Sequence, residues 1–210
     1  VTGGKSCNNR IRICCCHDSF LRFRVKKTCD CQNLFDFNHV KEHIVYKLIR
    51  RDANEELLKQ IPYEPFLDLA VVYYIQIDNT RFGSAAIQIR NEHLRYWRVE
   101  KEEIRRFAEK NTPRIYPVQI RQIVRFMYVA TNEQCSLGAA VMRYPDFREK
   151  VRGMIRGDFY ILPSSIHEVI LVPESFGLEP ERMQEMVKEI NQTGVAPEEV
   201  LSDSVYYFDG

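Results

Sequence analysis

Beyond residue 33 the chain is nearly without cysteine: Cys135 stands alone there, while Cys7, Cys14, Cys15, Cys16, Cys29 and Cys31 crowd the start. A disulfide framework for the larger part is thereby excluded. Long apolar runs are missing too. The longest, Leu69 to Ile75, is a strand length and far short of the roughly 20 residues that span a bilayer. Val1 to Lys27 has no apolar core of the kind a secretory signal needs, so a reducing cytoplasm is expected, with the cysteines as thiols. Net charge is only +1, which argues against general attraction to nucleic acid or membranes by the whole molecule. No G-x-G-x-x-G, no P-loop and no H-E-x-x-H is present, so dinucleotide, nucleotide-phosphate and zincin chemistry have no recognisable motif.

What is there divides in two. Val1 to Asn33 carries seven lysines and arginines against two aspartates, a charge of +5 that leaves the remainder at −4. Residues 1–33 are expected to be a cysteine-rich basic tail, disordered or foreign to the domain. The first residue, Val1, fits a fragment or a processed product. Zinc needs four nitrogen or sulfur ligands, usually in two pairs set on turns. Cys14, His17, Cys29 and Cys31 are the candidates, but a contiguous run and a C-x-C replace the C-x-x-C knuckle. Residues 34–210 read as one domain, with a possible sub-boundary near 113–126. A hydrophobic content of 45% against 28% charged is enough for a packed core.

Strand and helix signals alternate along that domain. Ile44 to Ile49 reads as a strand. Asp52 to Gln60 reads as a short helix, with Asp52 capping and Glu55 completing a capping box. Asp68 to Ile77 and Phe82 to Arg90 form a hairpin around Asp78-Asn79-Thr80, with Ala85, Ile87 and Ile89 on one face. Asn91 caps a helix to Trp97. A second helix covers Glu100 to Asn111, with Ile104, Phe107 and Ala108 as its buried stripe and Pro113 as its stop. Met127 to Ala130 and Gly138 to Met142 read as strands. Pro145 to Arg156 reads as a helix. Phe159 to Leu162 and His167 to Val172 are strands around Pro163-Ser164-Ser165. Pro180 to Gln192 is a helix whose apolar stripe is Met183, Met186, Val187 and Ile190, and Val205 to Phe208 is a last strand. Mixed strands and helices with hairpins predict an α+β fold with a largely antiparallel sheet.

Few residues invite chemistry. His93 follows Glu92, and His167 precedes Glu168. If His93, His167 and Glu168 met in one cleft, they would make a general-base or metal site. The plainer reading makes His93 a helix-start residue and Glu168 the polar face of a strand. Ser164 and Ser165 lack the glycines of a nucleophile elbow, which favours a tight hairpin. Tyr206-Tyr207 offers an exposed aromatic docking patch near the C-terminus.

Several segments carry a resemblance. Asp68-Leu69-Ala70-Val71-Val72-Tyr73, Asn91-Glu92-His93-Leu94 with Trp97, and Glu109-Lys110-Asn111-Thr112-Pro113 resemble successive motifs of an uncharacterised bacterial domain-of-unknown-function family, number 5688. So do Tyr160 to Val169 and Leu201-Ser202-Asp203-Ser204-Val205-Tyr206. The resemblance runs from about Phe35 to Asp209, leaves out the tail, and meets a shortened stretch at Pro117 to Phe126. It implies a cytoplasmic bacterial protein with no assigned activity and no catalytic residues to carry over. With no metal set, no activated nucleophile and no phosphate loop, the function expected first is non-catalytic binding to another macromolecule, with no cofactor and no membrane. A hydrolase-like enzyme using His93, His167 and Glu168 is the alternative. Zinc or nucleic-acid binding confined to the tail is the third.

Overall fold

The computed structural model describes residues 12–13, 34, 36–79 and 83–209. Two five-stranded sheets organise them, with helices packed around, so the fold is α+β. The first sheet contains β1 (Arg12–Ile13), β2 (Ile44–Arg50), β3 (Tyr63–Phe66), β4 (Leu69–Asn79) and β5 (Gly83–Gln88), in the order β1-β5-β4-β2. β3 pairs with the first half of β4, on the same edge as β5. The pairings are antiparallel except β1 with β5. The second sheet contains β6 (Val118–Val124), β7 (Met127–Asn132), β8 (Phe159–Leu162), β9 (Val169–Pro173) and β10 (Tyr206–Phe208), ordered β10-β8-β9-β7-β6 and antiparallel throughout.

The run Leu69 to Ile75 lacks polar alternation because both faces of β4 are covered. Leu69, Val71, Tyr73 and Ile75 enter the main core, while Ala70 and Val72 pack with Leu58 and Ile61 on the reverse face. The main core lies between the sheets. Tyr46 and Leu48 meet Ala130, Phe159, Ile161, Val169 and Leu171 there, with Ile104 and Ala108 of α4 (Lys101–Ile115) and Phe147 and Val151 of α5 (Phe147–Ile155). Each such side chain contributes roughly 1.5–3 kcal/mol of burial before chain entropy is subtracted. The far face of the second sheet is covered by α6 (Pro180–Thr193), where Met183 and Val187 meet Leu162 and Val172.

Four expectations are corrected. Gly138 to Met142 is a 3-10 turn, Gly138–Arg143, and not a strand. Leu137 is left-handed at φ 53°, and the Gly138 and Ala139 amides donate to the carbonyls of His167 and Ile166, which bends the chain off the ladder. Pro113 does not stop α4, which runs on to Ile115. Tertiary docking accounts for this. Thr112 Oγ1 accepts from the amide of Tyr46, and Asn111 Nδ2 donates to the carbonyl of Ile44. The last turn of α4 thus satisfies the outer edge of β2, an edge that would otherwise be open to pairing. The capping box at Asp52 does not form. Asp52 takes Arg50 and the Ala53 amide instead, and the segment splits into a 3-10 turn, Asp52–Asn54, and α2 (Glu55–Leu58). In α6 only Met183 and Val187 are buried; Met186 is half-buried and Ile190 is 44% exposed. β3 and β6 carry no strong hydrophobic period, so their sequence does not predict them as strands.

Candidate functional site

His93 sits at the third position of α3 (Asn91–Trp97). Its Nδ1 accepts from the amide of Arg90 at 3.0 Å, and the ring stacks on Trp97 at 5.4 Å. Burial first, and the Arg90 charge second, hold its pKa below the usual histidine value, which keeps the ring neutral and able to accept. The helix therefore begins with a histidine cap. Asn91, expected as the cap, lies inside the helix and reaches back to the Lys59 carbonyl. A shallow open groove of about 670 Å³ runs beside α3, lined by Leu94, Arg95, Arg98 and Val99 among others.

His167 stands in the connection between β8 and β9. Its Nδ1 accepts from the Leu137 amide at 3.2 Å, and its Nε2 lies 3.2 Å from Glu199 Oε1. Its carbonyl takes the Gly138 amide and the Thr131 hydroxyl. Both ring nitrogens and the carbonyl thus tie the 135–138 loop and the 197–199 turn to the second sheet. The hydrogen bonds of His93 and His167 go to different partners in different elements. Glu168 is half-buried next to His167 in sequence, immediately before β9. Ser165 Oγ meets the His167 amide at 3.0 Å, a local turn bond. Cys14, His17, Cys29 and Cys31 lie outside the described residues.

Two polar clusters were not anticipated. In the first, Glu64 of β3 takes the hydroxyl of Tyr73 at 2.9 Å and lies near Arg143 and Arg105, at 3.5 and 3.7 Å. Arg143 also reaches Glu109 at 3.0 Å. Two carboxylates and two guanidiniums balance, and burial followed by Glu64 raises the Tyr73 hydroxyl pKa. In the second, Asp68, in the tight turn between β3 and β4, accepts three hydroxyls: Ser202 at 2.6 Å, Ser204 at 3.0 Å, and Tyr206. Asn191 donates to Asp203 at 2.8 Å, and Arg50 reaches the same carboxylate at 2.9 Å. Those two partners hold Asp203 below the usual carboxylate value. Ser202 is 1% exposed, so its hydroxyl meets Asp68 and not a substrate. The cluster joins the first sheet to the C-terminal strand of the second. Its sequence signal was the acid-and-hydroxyl pattern Ser202-Asp203-Ser204 followed by Tyr206.

A group of exposed apolar side chains lies at one edge of the second sheet. β6 is one of the two terminal strands of the second sheet among the described residues, with β10 at the opposite edge. Residues 121–124 are all exposed, and a register shift falls between Gln122 and Val124. The hairpin tip shows Ile123, Val124 and Phe126, with Phe126 against Phe176 at 5.5 Å. The Tyr206-Tyr207 patch is used internally. Tyr206 holds Asp68, and the exposed Tyr207 donates to Glu174 at 3.0 Å.

The pattern of a family described as Family of unknown function (DUF5688) matches residues 12–127 and 124–210. The chain belongs to that family. The match begins at residue 12, further toward the N-terminus than the resemblance from Phe35, and its two segments overlap at the tip of the β6–β7 hairpin. No curated protein and no solved structure matches the chain. The segments that carry the resemblance hold some of the residues that make these long-range contacts. Asp68, His93, Thr112, His167, Ser202 and Tyr206 all lie in them.

Proposed function

We propose that this chain is a non-catalytic binding domain that docks on another macromolecule in the bacterial cytoplasm, through β6 and the tip of the β6–β7 hairpin. One observation carries the reading: a terminal strand with four consecutive exposed residues ends in an exposed apolar tip. Exposed apolar surface on a sheet edge is what binding domains present and what freely soluble edges avoid. The histidines of the enzyme reading support it from the other side, since His167 spends both ring nitrogens on its own chain and His93 caps a helix.

A photoreactive crosslinker placed at Ile123 tests this in cells that produce the protein, with one at Ile190 on α6 as the control. A discrete adduct from position 123 and none from 190 is expected. Adducts from both positions alike, or none from 123, refute the reading. A companion assay for hydrolase activity on His93→Ala and His167→Ala addresses the enzyme alternative. A turnover that both substitutions abolish would favour it.

A further inference from the structure

We infer that the β6 edge takes an extended, acidic segment of a partner protein, added as a further strand; this rests on the binding reading above. Val118 to Gln122 keep regular register with β7 before the shift at Ile123. A strand paired on one side leaves half of its amides and carbonyls facing outward, and an extended peptide satisfies them. Charge then selects the peptide. From Pro117 to Asn132 the chain carries Arg121 and Arg125 and no acidic residue. Arg125 lies over the Phe126 ring, while Arg121 has no ion pair among the described residues. Glu133 lies just beyond β7, and Glu174, near the tip, is held by Tyr207. A second copy is a poor occupant, because its hairpin brings the same two positive charges, Arg121 of β6 and Arg125 of the turn, and like charges across strands are unfavourable. Two arginines set among exposed apolar side chains also suit a peptide better than a polyphosphate chain, which calls for a wider basic surface. The apolar tip offers the peptide's alternate side chains a contact beyond the charges.

The test uses the full chain and two probe peptides of about ten residues, one alternating valine with glutamate and one alternating valine with lysine. Backbone amide exchange across Val118 to Gln122 is followed by NMR. The glutamate peptide is expected to slow the outward amides of β6, and the lysine peptide to leave them unchanged. The double variant Arg121→Glu with Arg125→Glu should reverse that preference by roughly tenfold, with its thermal melt unchanged. An equal response to both peptides, protection of β6 by single-stranded oligothymidine instead, or a β6-dependent dimer in sedimentation would overturn the inference. If the crosslink from Ile123 persists while neither peptide acts on β6, the acidic strand is wrong and the binding domain stands. If the crosslink fails too, both fall.

Discussion

Gly138→Ala should cost about 3 kcal/mol, and the number follows from three distances. A Cβ at Gly138 would lie 2.1 Å from Thr131 Oγ1, 2.5 Å from the His167 carbonyl and 2.8 Å from the Asn132 amide. All three are under the 3.0 Å that real Cβ atoms essentially never breach. Thr131 can rotate away, but its hydroxyl then leaves the His167 carbonyl, now 2.8 Å off. The other two contacts are backbone and cannot rotate, so the loop must move and the Gly138 amide loses the same carbonyl. Two hydrogen bonds contribute about 0.5–1.5 kcal/mol each, and overpacking a filled site costs about 1–3. Alanine recovers about 0.4–1 kcal/mol by narrowing the unfolded ensemble. The balance is about 1–6 kcal/mol with a centre near 3. The Tm should fall by about 6–12 °C at the centre value, given about 2–4 °C per kcal/mol at this size. Gly153→Ala is the control. Gly153 lies inside α5 with nothing within 4 Å of its Cβ position, so the same substitution should stabilise by about 0.5–1 kcal/mol. Urea titration at constant m measures both. A Gly138→Ala midpoint equal to the parent, or a shift of the same sign in both variants, refutes the packing of this loop.

Met183→Ala should cost about 2–5 kcal/mol and Met186→Ala under about 1, because of the two methionines only Met183 is buried between α6 and the second sheet; equal urea midpoints would refute this. Thr112→Val should cost about 1–3 kcal/mol by orphaning the buried Tyr46 amide, and Thr112→Ser should restore most of it; loss without serine rescue would point to the methyl group instead. Asp203→Asn should flatten the acid limb of stability. Asp203 is held below its unfolded value, so its contribution is present above about pH 4 and is lost as pH falls through the folded pKa. Urea midpoints from neutral to strongly acid pH check the sign, and an unchanged acid limb refutes it.

The strands with strong apolar signal were legible without coordinates. Leu69 to Ile75 announces a strand buried on both faces, and β2, β4, β5, β7 and β8 lie where β-branched and aromatic residues cluster. Ile87 and Ile89 share the core face as their spacing predicted, and α3 to α6 lie close to their expected spans. The failures share a cause. Gly138 to Met142 has strand composition, but its amides are claimed by residues about 28 positions away in sequence. Pro113 has a helix-stop signature, but Asn111 and Thr112 are anchored to β2. The tetrad of Glu64, Tyr73, Glu109 and Arg143 spans 79 positions and has no local period at all.

The amino-acid sequence by itself determined the α+β class, the main strands and helices and the family, since propensity and periodicity act over a few neighbours. Only the tertiary structure decided what individual residues do. It made His93 a cap and His167 a two-sided tie, and it turned Asp68 with Ser202 and Tyr206 into a joint between sheets. It also left β6 at the edge of the second sheet among the described residues. Strand order depends on pairings across long sequence separations, and a hydroxyl or an imidazole takes its role from whichever distant backbone group folding brings within about 3 Å.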